Sequence, residues 1–138
     1  NTMSNLEKTL SIIKPDAVER NLSDEIKNIF KKNKLSIIDS KKIHINKDEA
    51  SEFYKVHQSK PFYNDLCSYL ASGPIVVMIL EGENAIKLNR EIMGSTNPKD
   101  AKDGTIRKLY GISIDKNSVH GSDSLENAKK EIDFFFKN

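Results

Sequence analysis

Asn117-Ser118-Val119-His120-Gly121-Ser122-Asp123-Ser124 puts a histidine at the end of a short β-prone run, just before a glycine turn and the start of the last helix. Leu125, Ala128, Ile132 and Phe135 recur behind it at helical spacing, which predicts a helix over residues 124–135. Asp123 is expected to cap that helix, with Glu126 three positions on as the partner in a capping box. Helical Cα–Cβ bonds tilt toward the N-terminus, so Glu131, on the face of Ser124 and Asn127, should lean its carboxylate back toward His120. A carboxylate set against an imidazole fixes its tautomer and raises its basicity, as a nucleophilic histidine requires. A lone histidine after a strand is more often a structural residue; the string around His120 is what singles it out.

Outward from this stretch the periodicity alternates between strand and helix. Thr9–Lys14 reads as a strand stopped by Pro15, and residues 22–33 as an amphipathic helix with Ile26, Ile29 and Phe30 inward. Residues 35–45 form a second strand, in which His44 is expected to be structural. Residues 47–57 and 62–71 form two short helices separated by Ser59-Lys60-Pro61. Ile75–Leu80 is a fully apolar third strand, and residues 83–93 a helix with Ala85, Ile86, Leu88 and Ile92 apolar. From Gly94 to about Asp115 the periodicity fails while Gly, Ser, Thr, Asn, Pro and Lys accumulate around Arg107, and an ordered loop of that length is more often functional than idle. Residues 118–120 supply the fourth strand. The result is an α+β chain of βαββαβ order, the ferredoxin-like plan: a four-stranded antiparallel sheet covered by helices, with a long active-site loop between the fourth helix region and the last strand.

With 138 residues, one domain over residues 4–138 is expected, and Asn1 and Thr2 read as expression remnants before a native start at Met3. The net charge is only +2, from 22 basic and 20 acidic residues spread along the chain, so no nucleic-acid stripe is implied and a small anionic ligand suits. Arginine clamps phosphate better than lysine does, and the three arginines, at 20, 90 and 107, make Arg90 and Arg107 the ones to watch. Cys67 is the sole cysteine and is expected to be a buried, reduced thiol, which fits the cytoplasm. The longest apolar run is far short of a membrane span.

No GxxxxGK[ST] or GxGxxG loop follows any strand, so side chains rather than a glycine-rich backbone must hold any phosphate. Lys14, Arg90, Thr96 and Arg107 stand at strand, helix and loop positions where they could do so around His120, and phosphoryl transfer needs little beyond positioning and positive charge. Two other classes fit less well. An RNA-binding module of this plan needs exposed aromatics on its sheet, and strands 1 and 3 have none. A histidine phosphotransfer relay is a helical bundle, against which the four β-prone runs count.

The residues resemble the nucleoside diphosphate kinase family nearly end to end. The resemblance is carried by Ile13-Lys14-Pro15-Asp16-Ala17-Val18, Lys60-Pro61-Phe62-Tyr63, Ser72-Gly73-Pro74, Ile92 to Pro98, Gly104-Thr105-Ile106-Arg107 and Asn117 to Ser124. It implies transfer of the γ-phosphate of a nucleoside triphosphate to a nucleoside diphosphate through a phosphohistidine at His120, with Mg²⁺ on the phosphates. It further implies that Phe62 stacks on the base opposite Ile114, that Lys14 and Asn117 contact the sugar hydroxyls, and that His57, Arg90, Thr96 and Arg107 hold the phosphates. Tyr54, Ser122 and Glu131 would shape and orient the nucleophile, with Lys14 in the catalytic set as well. A homo-oligomer, hexamer or tetramer built from dimers, is expected. Lys60 stands where an arginine is usual and Leu109 where an aspartate is usual, both outside the catalytic set, and the chain ends early, as compact bacterial-type members do.

Overall fold

The computed structural model describes residues 5–136. Asn1, Thr2 and the expected start at Met3 lie outside the described residues. Four strands, β1 (Leu6–Ile13), β2 (Ser36–Ile43), β3 (Ile75–Glu83) and β4 (Val119–Gly121), form one antiparallel sheet in the order β2-β3-β1-β4. The helices are α1 (Pro15–Glu19), α2 (Ser23–Lys32), α3 (Lys47–Phe53), α4 (Tyr63–Leu70), α5 (Ala85–Met93), α6 (Ile106–Tyr110) and α7 (Leu125–Phe136). This is the ferredoxin-like arrangement expected.

The sheet is buried on both faces because its central strands carry apolar side chains at every second position on each side. Ile13, Val76, Met78 and Leu80 face α2 and α5, where they meet Ile26, Phe30 and Ile92. Leu10, Ile12, Ile75 and Val77 face α3, α4 and α7, where they meet Ala50, Tyr54, Cys67, Leu70 and Phe135. Each such side chain taken fully from water contributes about 1.5–3 kcal/mol. Cys67 is a buried free thiol, and His44 Nε2 lies 2.9 Å from the Ala71 carbonyl oxygen, a structural contact as expected. β2 is an edge strand, mostly exposed, with a bulge between Ile37 and Asp39.

Several local readings are corrected. Pro15 ends β1 but also opens the short helix α1 at its first turn, a place that suits a residue with no N–H to donate. The segment expected as one helix over residues 47–57 leaves α-geometry at Tyr54 and tightens into a 3₁₀ turn, Lys55–His57. The aperiodic stretch 94–115 contains a 3₁₀ turn, Pro98–Asp100, and α6; the Asn97 and Thr105 side chains accept from Lys99 N and Lys108 N, and these caps let elements form that are too short for any apolar period. At the last helix the cap is Ser124, whose Oγ accepts from Asn127 N at 3.1 Å. Asp123 Oδ1 instead accepts from the Asn127 side-chain amide, and Glu126 pairs with Lys130 at the surface, so the expected Asp123–Glu126 box does not form.

β4 is offset by one residue from expectation: Ser118 is not in it. Its register places Ile12 opposite His120 and Ser11 opposite Gly121, so His120 points to the α3/α7 face and Gly121 to α5. There is no room under that glycine: a Cβ there would overlap the Asn89 side-chain amide and lie 2.8 Å from Met93 Cε.

Candidate active site

A cleft of about 1380 Å³ opens at the β4 end of the sheet, over the α3/α7 face, and His120 stands in its wall. The orientation of the imidazole follows from α7. One turn of that helix carries Glu131 back over β4, as the tilt of its Cα–Cβ bond predicts, and Oε1 lies 3.1 Å from His120 Nε2. The same oxygen accepts from the fully buried Ser122 Oγ at 2.7 Å. A carboxylate only accepts, so Nε2 carries the hydrogen and the lone pair lies on Nδ1, which has no hydrogen-bond partner among the described residues. The ring is gripped edge-on by Phe53, at 5.3 Å between centroids and 73°, and by the buried Tyr54 at 6.3 Å and 81°. Burial, and then the Glu131 charge, push the Tyr54 hydroxyl above its ordinary range.

Two cations lie at the floor of the cleft. Lys14, at the end of β1 and 6 % exposed, donates to Asn117 Oδ1 over 2.9 Å. Arg107, placed by α6 and 8 % exposed, donates from Nη1 to the Gly94 carbonyl at 3.0 Å and from Nη2 to the Val119 carbonyl at 2.8 Å, which ties the long excursion to the residue before His120. Its buried Nε has no partner among the described residues. Burial, then the Arg107 charge, lower Lys14 to about 8, against the upward pull of Asp16 and Asp115. Burial, then Arg90, lower Arg107 to about 10.

Asn117 is held from both sides, since its amide nitrogen also donates to Thr96 O at 3.0 Å. Between Asn117 and β4 the backbone makes a γ-turn with φ of 77° at Ser118, closed by Val119 N donating to Asn117 O at 2.9 Å. This positive-φ turn is rare and strained for a residue with a Cβ, at a cost of about 1–3 kcal/mol. The outer wall is formed by Arg90 and Thr96, both exposed, and by half-exposed Phe62 and Ile114. His57 stands between Tyr54 and Phe62, 6.4 Å from the latter, with its pKa lowered by burial and by Lys60.

Every residue singled out from the sequence therefore lines this cleft except Ser122, which sits behind it on Glu131. Phe53, the Ser118 turn and the contacts of Asp16 were not singled out. Phe53 had one sign, its place beside Tyr54; the other two depend on contacts about a hundred positions apart in sequence.

A histidine held by a carboxylate at one nitrogen and free at the other, above buried cations in an open cleft, is an arrangement chemically capable of nucleophilic attack on an anionic group. The comparisons with known proteins agree. The family model described as nucleoside diphosphate kinase matches residues 7–138, and the chain belongs to that family. It is 59% identical over 131 residues to the nucleoside diphosphate kinase of Nitratiruptor sp., covering 95% of this chain and 96% of the relative. It is 57% identical over 132 residues to that of Campylobacter jejuni, covering 96% of each. The solved structure of the Aquifex aeolicus nucleoside diphosphate kinase superposes with a TM-score of 0.94 at 40% identity, covering 96% of both chains.

The Lys14 shift has a definite sign in stability. Between about 8 and the ordinary lysine value, the unfolded chain holds a proton at residue 14 that the folded chain has released, so stability rises with pH through this window; the burial penalty is fully present below it. In urea denaturation, the unfolding free energy of the unmodified protein minus that of Lys14→Met should grow by at most about 3 kcal/mol from roughly pH 7 to roughly pH 10. A difference that stays flat would contradict the depressed value.

Proposed function

We propose that residues 4–138 form one nucleoside diphosphate kinase domain, which moves the γ-phosphate of a nucleoside triphosphate to a nucleoside diphosphate in two steps through His120. The observation that carries this reading is the imidazole itself, with Nε2–H engaged by Glu131 and Nδ1 free in a cleft floored by Lys14 and Arg107. In the first step Nδ1 attacks the γ-phosphorus; the Nδ1–P bond forms, the bond to the bridging oxygen breaks, and its electron pair leaves with the nucleoside diphosphate. In the second, a terminal oxygen of the acceptor attacks the same phosphorus and the pair returns to Nδ1. The hydrogen on Nε2 stays between His120 and Glu131 throughout, so no general base is needed before attack.

The positions support the roles the resemblance implies. Phe62 and Ile114 face the cleft with apolar surface still exposed, as a sandwich for a base requires. Lys14 and Asn117 form one hydrogen-bonded corner suited to the sugar, and His57, Arg90, Thr96 and Arg107 offer donors to the phosphates. Among the described residues no three carboxylate, histidine or thiol groups converge as a metal cage. The donor set, cations plus single carboxylates such as Asp123, fits Mg²⁺ brought in on the phosphates. When bound, Mg²⁺ neutralises and orients the polyphosphate.

Incubation with γ-labelled ATP and Mg²⁺ should label the protein in a form labile to acid and stable to base, and a different nucleoside diphosphate added afterwards should remove the label. His120→Ala should neither label nor transfer; retained activity in that variant would sink the mechanism.

Orientation by Glu131 makes a separate prediction. Glu131→Gln keeps a hydrogen-bonding group of the same size and should slow single-turnover phosphorylation modestly, about tenfold or less, whereas Glu131→Ala should cost more. Equal losses in the two variants would reject an orienting role.

The domain is proposed to work in the cytoplasm on nucleotides, without nucleic acid or membrane; none of the described helices is long and apolar enough to cross a bilayer. It is proposed to assemble as a homo-oligomer, hexamer or tetramer, in keeping with the exposed edge strand β2 and with Leu109 and Ile112 at the surface. Light scattering at micromolar concentration should give several protomers per particle, and a monomer would contradict the assembly.

A further inference from the structure

Asp16, at the start of α1, is 5 % exposed and does not line the cleft. Its carboxylate nevertheless gathers side chains from distant parts of the chain. Tyr69 of α4 donates its hydroxyl to Oδ1, while that hydroxyl oxygen accepts from Asp16 N at 2.9 Å. Oδ2 accepts from Ser118 Oγ at 3.0 Å and from Arg20 Nη2 at 3.1 Å. Arg20 Nη2 also donates to the Tyr110 carbonyl, at the end of the helix that carries Arg107.

The Ser118 contact matters because Ser118 is the strained centre of the γ-turn. Its hydroxyl is held by Asp16, and its carbonyl accepts from Lys14 N at 2.8 Å, so the turn is fixed at the side chain and at the backbone. Asn117 hangs directly from this turn and bonds to Lys14 Nζ and Thr96 O. His120, two residues beyond, is set independently by its pairing with Ile12, by Glu131 and by the Phe53 ring.

We propose that Asp16 is a positioning residue for the nucleoside side of the site: by holding Ser118 in its left-handed conformation it aims Asn117, and with it Lys14, at the substrate. It touches no substrate itself. The inference rests on the phosphotransfer reading above and adds a division of labour to it, in which the Asp16 network sets the Asn117–Lys14 corner while α7 and α3 set the nucleophile.

Two phosphoryl donors separate these halves. ATP needs the corner as well as His120. Phosphoramidate has neither base nor sugar and needs the imidazole and the phosphate-holding side chains but not the sugar corner: Nδ1 bonds to phosphorus as the P–N bond breaks and ammonia leaves with the pair. In the full-length Asp16→Asn protein, kcat/KM with ATP should fall about tenfold, mainly through KM, while labelling of His120 by phosphoramidate stays within about twofold of the unmodified rate. Ser118→Ala should fall in the same direction by less, and the double variant should be no worse than Asp16→Asn by more than about twofold, since both act through one contact. Equal slowing with both donors, or an unchanged ATP reaction, would overturn the proposal. Should Asp16→Asn not fold, Ser118→Ala decides by the same comparison, because it leaves the carboxylate with Tyr69 and Arg20. If the unmodified protein takes phosphate on His120 from neither donor, the phosphotransfer reading falls and the inference falls with it.

Discussion

Two positive charges held out of water, Lys14 and Arg107, are the constraint around which this end of the molecule is arranged. Neither is hydrogen-bonded to a carboxylate among the described residues; both donate to neutral oxygens, of Asn117, Gly94 and Val119, and the Arg107 Nε has no partner among the described residues. Burial of a cation is unfavourable and lowers its proton affinity, in Lys14 despite the nearby charges of Asp16 and Asp115, and in Arg107 with the Arg90 charge adding to it. The fold tolerates this because the carbonyls come from segments that must be anchored anyway: the start of the excursion after α5 and the strand bearing His120. An anion entering the cleft supplies the missing negative charge, so the site holds electrostatic strain that substrate relieves.

The opposite side of the imidazole is built on the reverse principle. Glu131 is given two donors, Ser122 and His120, and the ring it orients is also held edge-on by the Phe53 ring. Asp16 likewise is saturated, by Tyr69, Ser118 and Arg20. Carboxylates in this site each take at least two donors where they position a neighbour, and cations are left short where they face the ligand.

Much of this was legible in the sequence because it depends on local period and local geometry. Alternation within the strands, the apolar stripe of α2 and the apolar run Ile75–Leu80 of β3 dictate the sheet and its two covered faces, and the tilt of side chains along α7 was enough to aim Glu131 at His120. What was not legible is short or distant. α1 and α6 have five residues each, too few to display a helical repeat. The cap of α7 was misassigned because Asp123 and Ser124 are both good cap residues, and only the Asn127 side chain, drawing off Asp123, decides between them. The turn at Ser118 could not be read at all: serine gives no sign of a positive φ, which here is imposed by a carboxylate about a hundred positions earlier.

Gly121 has a consequence for the fidelity of strand pairing. β4 is only three residues long and pairs on one side, so its own hydrogen bonds would do little to stop it sliding one step along β1. A slip of one residue turns every side chain to the other face of a sheet. Here it would drive the imidazole toward α5, where Asn89 and Met93 leave no space even for a methyl group. The residue with no side chain therefore acts as a steric gauge: it admits a single alignment of the strand, the one in which the histidine faces the cleft.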